Sequence, residues 1–173
     1  QQPIGANFGL DYPALAFGDY DNDGDMDLAV AGYDNVKYRF IIFRNSNGIF
    51  SNGIEPMGIN QGFYNGSIKF GDYNNDGNID IAVQGNPNIF SIFENIGADS
   101  FIRKIDPIGL NKGGYMGSVA FADYNNDGLI DLFSTGSDLP TAAFINQLTN
   151  INERPGAPTP VYPIGVLVEQ GDS

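Results

Sequence analysis

Aspartate occupies every second position from Asp19 to Asp27, in the stretch DYDNDGDMD. The stretch returns as DYNNDGNID from Asp72 and as DYNNDGLID from Asp123. Counted from the first aspartate, side-chain oxygens fall at positions 1, 3, 5 and 9 of each copy. These are Asp19, Asp21, Asp23 and Asp27, then Asp72, Asn74, Asp76 and Asp80, then Asp123, Asn125, Asp127 and Asp131. Glycine holds position 6 each time, at Gly24, Gly77 and Gly128. Alternate residues turned toward one point, with a glycine for the sharp turn, make an oxygen cage for a hard cation. Position 7 (Asp25, Asn78 or Leu129) varies freely, as expected where only its backbone carbonyl is used.

Magnitudes favour a bound ion. Two carboxylates about 4 Å apart repel by roughly 4 kcal/mol at an effective dielectric near 20. Three or four converging would cost an amount comparable to a domain's whole stability, about 5–15 kcal/mol. A divalent ion reverses that sign. Mixed carboxylate, amide and carbonyl oxygens in a flexible loop suit calcium better than magnesium. The expectation is about three Ca2+ per chain, which would take the formal charge from −13 to −7, that is −13 + 6. A turn rich in Asp and Asn can also solvate itself without metal, but three copies at fixed spacing argue against that. The helix-loop-helix calcium hand fails as well. It needs an acid at position 12, where this chain has Val30, Val83 and Ser134.

The loops must be carried by repeated elements. Asp19, Asp72 and Asp123 lie 53 and 51 residues apart, and other landmarks keep step. Pro-x-Gly begins at Pro3, Pro56, Pro107 and Pro163. Phe43-Arg44-Asn45 recurs as Phe93-Glu94-Asn95 and Phe144-Ile145-Asn146. A period near 50 residues signals a stacked or radial repeat. Within each unit the apolar pattern has period two, as in LAVAG, IAVQG, FIIF and FSIF. That pattern predicts short β-strands bounded by Gly, Asn and Asp. Each unit reads as four strands. The first ends at Phe17, Phe70 or Phe121, the second starts just after the acidic loop, the third runs through Phe43, Phe93 or Phe144, and the fourth leads toward the next Pro-x-Gly. Four strands in such a unit describe a propeller blade. The fold class is therefore all-β, with three consecutive four-stranded propeller-type blades at about 1–53, 54–104 and 105–150. Phe17, Phe70 and Phe121 are expected in the core. Tyr20, Tyr73 and Tyr124 are expected to pack between blades and shield the ion.

Composition removes several functions. Cysteine and histidine are both absent, which excludes disulfides, thiol chemistry, thiolate zinc sites and the commonest general base. The eight basic residues are scattered and the net charge is −13, so nucleic acid is not a partner to expect. No apolar run approaches the roughly 18 residues of a transmembrane span. The loop acids are committed to metal and no other acids pair, so the reading is not an enzyme.

The acidic unit resembles the FG-GAP/VCBS repeat of integrin-α-type β-propellers across residues 1 to about 150. The resemblance implies a blade with calcium held in the hairpin between its first two strands, at the twelve loop positions named above. Members of the family include adhesion receptors, lectins, polysaccharide-lyase accessory modules and bacterial surface proteins. The chain departs from them in number, since closed propellers of this kind have about seven blades and three cannot close a ring. Exposed blade faces and strand edges need cover, either because the chain is a piece of a longer one or because neighbouring copies supply the rest. Residues 151–173 begin as a Pro-rich linker and end in the apolar stretch VYPIGVLVEQ. That end, residues 162–169, is expected to add as a strand to a sheet of the next copy, and a head-to-tail contact that does not close gives a filament. The functional expectation is an extracellular or cell-surface calcium-binding structural or adhesive module, assembling with copies of itself through that strand. The alternative is a carbohydrate-binding propeller fragment whose partners are glycans or other surface proteins, with Tyr33, Tyr38, Tyr64 and Tyr115 as stacking platforms.

Overall fold

The structure, a computed structural model, describes residues 9–51, 53–59, 61–105, 114–137, 139–146 and 166–167. The described residues hold strands and turns and no helix. The first sheet contains β1 (Asp11–Gly18), β2 (Asp27–Tyr33) and β3 (Tyr38–Phe43). A small hairpin of β4 (Asn45–Ser46) and β5 (Ile49–Phe50) follows. The second sheet is β6 (Tyr64–Gly71), β7 (Asp80–Asn86), β8 (Ile89–Asn95) and β9 (Phe101–Ile105). The third is β10 (Ser118–Ala122), β11 (Asp131–Gly136), β12 (Leu139–Phe144) and β13 (Val166–Leu167). Each sheet is an antiparallel meander in chain order. The acidic stretches are the connections β1–β2, β6–β7 and β10–β11.

Four strands per unit hold in the second sheet. In the first, the fourth strand shrinks to a single bridge between Ile42 and Ile54. In the third, the fourth strand is β13, pairing Leu167 with Ala143 and Val166 with Phe144. Two residues of the segment expected to dock on a neighbouring copy are thus taken up by the chain's own sheet. The edge of β12 offers backbone groups for pairing, and Val166–Leu167 of the same chain takes them at Ala143 and Phe144. The rest of that segment, the linker before it, and Pro3, Pro107 and Pro163 lie outside the described residues.

Period-two patterning explains how the sheets pack. Successive side chains of a strand point to opposite faces. Ile81 and Val83 of β7 join Ile89 and Phe93 of β8 in a core shared with Phe40 and Ile42 of the first sheet. The alternate residues Ala82, Phe90 and Ile92 join Val119, Leu132 and Phe144 of the third. The middle sheet is therefore buried on both faces, and β7 and β8 are buried along nearly their whole length, Gln84 and Ser91 included. Aromatic edges close both seams, with Phe40 5.8 Å from Phe93 and Phe90 5.3 Å from Phe144, centroid to centroid.

The first strands form a closer seam. A Cβ added to Gly18 would lie 2.4 Å from Cγ of Phe70, and one added to Gly71 would lie 2.8 Å from Phe121. The phenylalanine ahead of each later loop therefore seats on the glycine of the unit before it. Phe17 departs from the core expectation at 52% exposure, because among the described residues no sheet precedes the first to take its ring. Tyr20 and Tyr73 are buried as expected, against Phe101 and Phe121, whereas Tyr124 on the third unit is 46% exposed.

Candidate metal centre

The three loops share one hydrogen-bond framework. The position 1 carboxylate accepts two backbone N–H groups, from positions 5 and 6. Asp19 receives Asp23 and Gly24 at 3.0 Å each. Asp72 receives Asp76 at 3.1 Å and Gly77 at 2.9 Å. Asp123 receives Asp127 at 3.1 Å and Gly128 at 3.0 Å. Position 3 (Asp21, Asn74, Asn125) accepts the position 5 amide. Position 5 (Asp23, Asp76, Asp127) accepts the amide of position 7, which is Asp25, Asn78 or Leu129. The path needs a left-handed backbone at position 6, and Gly24, Gly77 and Gly128 take φ of 92°, 90° and 88°. Asparagine, which tolerates that region best after glycine, stands at position 4, where Asn22, Asn75 and Asn126 take 58°, 56° and 58°.

Position 9 ties each loop to its sheet. Asp27 accepts Tyr20 N at 3.0 Å and Asn45 N at 2.7 Å. Asp80 accepts Tyr73 N at 3.0 Å and Asn95 N at 2.8 Å. Asp131 accepts Tyr124 N at 3.4 Å and Asn146 N at 2.7 Å. All three carboxylates are buried. Burial pushes the Asp27 carboxyl up against the pull of its two amide donors, and it pushes Asp80 up to about 7.

Carboxylate oxygens of Asp19, Asp21 and Asp27 lie within 4.8 Å of one another, a group able to hold a metal ion. In the first loop Asp21 Oδ2 is buried without a hydrogen-bond partner of good geometry, and its charge is met by Nε of Arg44. Arg44 Nη2 reaches Asp23 Oδ2 at 3.2 Å. Burial pushes the Asp21 carboxyl up while Arg44 pulls it back, and the Asp25 amide and Arg44 hold Asp23 low. The donor set therefore fits a hard cation: hard oxygens converge, one lacks a well-formed donor, and a guanidinium has been drawn to the place. Asp25 differs from its expected role in one respect, since its side chain accepts Asn47 N at 2.7 Å from the β4–β5 hairpin. In the second and third loops the amides of Asn74 and Asn125 donate to Asp76 at 3.0 Å and Asp127 at 2.9 Å.

Sequence reasoning passed over the asparagine that ends Phe-x-Asn. Asn95 Nδ2 donates to the carbonyl of Ile79 at 3.2 Å in its own unit and of Tyr20 at 2.8 Å in the first loop. Asn146 repeats this with Ile130 at 3.2 Å and Tyr73 at 2.6 Å. Asn22 and Asn75 add loop-to-loop bonds to the carbonyls of Gly77 at 3.0 Å and Gly128 at 3.5 Å. The recurrence of Phe-x-Asn was the available signal.

Residues 19–83 and 72–134 each match a family profile described as FG-GAP-like repeat. The matches overlap and together run from the first acidic loop into β11. No curated protein and no solved structure matches the chain.

Proposed function

The chain belongs to the FG-GAP-like repeat family, and from that premise we propose that it is a calcium-braced β-repeat module of the extracellular or cell-surface kind, structural or adhesive rather than catalytic. Its three sheets are read as successive propeller-type blades. The observation that carries the calcium reading is the framework common to all three loops, with Asp19, Asp21 and Asp27 gathered within 4.8 Å in the first. Positions 1, 3, 5 and 9 would hold the ions by side-chain oxygens, and position 7 by its carbonyl. The ion supplies charge neutralisation and rigidity, and the row of sheets, which has no disulfide, gains braces at its connections. Among the described residues no helix is long and apolar enough to cross a membrane. Self-association belongs to the same proposal through the outer faces of the row, where Phe17 and Tyr124 stand exposed, rather than through Val166–Leu167, which is engaged with β12.

Thermal unfolding with and without a chelator tests the reading. Excess chelator should lower the midpoint by 10 °C or more, on the order of several kcal/mol for ligand linkage at three sites. Equal midpoints would overturn it.

One observation favours the second, carbohydrate-binding reading. Tyr33, Tyr38 and Tyr64 gather with Tyr12 into a chain of rings 5.4, 5.1 and 5.9 Å apart. Tyr12 is 61% exposed, so it offers a face to a sugar ring. Tyr115 stands apart on the third unit. A glycan array probed in calcium supports this reading by binding that Tyr12→Ala abolishes, and ends it by blank spots throughout.

A further inference from the structure

Charge count alone ranks the first loop as the strongest calcium site. It carries Asp19, Asp21, Asp23, Asp25 and Asp27, where the second carries Asp72, Asp76 and Asp80 and the third Asp123, Asp127 and Asp131. More carboxylates mean tighter calcium binding when nothing else competes for them. In this structure something does. Arg44 stands between β3 and β4, just before Asn45, and folds over the loop, with Nε on Asp21 and Nη2 on Asp23 at 3.2 Å. The Asp25 carboxylate is taken by Asn47 N at 2.7 Å. The two acids that the first loop has where its neighbours have none, Asp21 and Asp25, are thus engaged by residues 44–47 of the same chain, together with Asp23.

The other two repeats lack this device. Glu94 stands where Arg44 does, and its carboxylate meets Lys104 of β9 at 3.2 Å. Ile145 stands there in the third repeat. In both loops an asparagine amide at position 3 satisfies the free oxygen of position 5, the role that Arg44 fills in the first. An aspartate at position 3 has no proton to donate, so the first loop needs a cation from elsewhere.

We propose that Arg44 is a resident counter-cation of the first loop, which calcium must displace, so that this site, the richest in acids, is not the tightest of the three. The proposal rests on the calcium reading above. Arg44 is 43% exposed at its side chain, so the guanidinium can swing into solvent without disturbing the core. Its hold is that of a partly exposed ion pair to two carboxylates, and removal should tighten the first site about three- to tenfold.

The test follows the backbone amides of Gly24, Gly77 and Gly128 by heteronuclear NMR while calcium is titrated into the whole chain. Each glycine sits at position 6, and its N–H is held by the position 1 carboxylate of its own loop, so it reports chiefly that loop. The expected wild-type result is a Gly24 midpoint no lower than that of Gly77. In Arg44→Gln the Gly24 midpoint should fall about three- to tenfold and become the lowest, with the other two moving less than about twofold. Arg44→Lys, which keeps the charge but cannot fork across two carboxylates, should fall between. The Arg44 Nε–H resonance of the wild type gives a second readout, and should shift as Gly24 saturates. An unchanged Gly24 midpoint in Arg44→Gln, an equal shift at all three glycines, or an Arg44 resonance indifferent to calcium each overturns the proposal. If no glycine responds to calcium in any variant, the calcium reading itself has failed and this inference falls with it.

Discussion

Asn95→Ala should cost far more stability than Asn45→Ala, although both remove the same residue from the same place in the repeat. In the second unit the Asn95 side chain is 2% exposed and makes three hydrogen bonds. Truncation leaves the carbonyls of Tyr20 and Ile79 and the amide of Gly97 without their partner. Each buried group so stranded costs about 1–3 kcal/mol, and the two partly buried ones fall at the low end because water reaches them. The sum is about 3 kcal/mol, a large share of a stability of about 5–15 kcal/mol. Asn45 bonds Met26 O and Gly48 N, both in exposed settings, and reaches no other repeat. Water replaces those bonds, and the loss should be about 1 kcal/mol or less. The backbone bonds from Asn45 and Asn95 to Asp27 and Asp80 survive in both variants. Urea unfolding followed by circular dichroism, at saturating calcium, measures the difference. Because Asn95 spans two repeats, its loss should also broaden the transition, as nearest-neighbour coupling weakens. Asn146→Ala should resemble Asn95→Ala. Equal costs for Asn45→Ala and Asn95→Ala would refute the idea that this asparagine couples one repeat to the next.

Gly18→Ala should cost about 1–3 kcal/mol in the same assay, because its Cβ would fall 2.4 Å from Phe70 Cγ and drive that ring out of the seam; a neutral result would show the seam to be loose. In metal-free protein Asp80 titrates near 7, held up by burial, so its contribution to stability is complete below its unfolded value near 3.9 and is lost as pH rises through 7. Chelated protein should therefore melt higher at pH 5.5 than at pH 8, and a carboxyl-carbon NMR titration of Asp80 with a midpoint near 4 would refute this.

Strand positions were legible where two causes agree. The apolar alternation of LAVAG and IAVQG and the Asn-Asp-Gly turns both place a hairpin around each acidic loop, and β2, β7 and β11 begin at Asp27, Asp80 and Asp131. The fourth strand was legible only in the second unit. In the first, the acidic loop recruits residues 45–50 through Asp25 and Asp27, and Ile54 is left with a single bridge to Ile42. In the third, the strand comes from Val166–Leu167, beyond a Pro-rich stretch that no local pattern could span. Loop composition showed the donors but not Arg44, whose reach to Asp21 depends on the hairpin that follows it. The exposure of Phe17 was hidden for a related reason. Phe17, Phe70 and Phe121 are equivalent in sequence, and they differ in which neighbouring sheet receives them.

Repetition explains why the loops are more than three separate sites. An isolated hairpin is marginal in water, and a small chain without disulfides has few other sources of rigidity. Here the carbonyl that follows each position 1 aspartate, Tyr20 or Tyr73, receives the asparagine of the next repeat. The glycine carbonyls at position 6, Gly77 and Gly128, receive Asn22 and Asn75 of the repeat before. Bonds therefore run both ways across each seam, and they end on the backbone of the loop that would wrap an ion. Fixing one loop fixes acceptors and donors for its neighbour, so order at one loop lowers the entropy still to be lost at the next. The predicted consequence is that the first calcium bound protects amides in the adjoining sheet as well as in its own loop, a pattern that hydrogen exchange resolves residue by residue. Protection confined to the filled loop would mean that the asparagine bonds hold the seams together without transmitting anything between them.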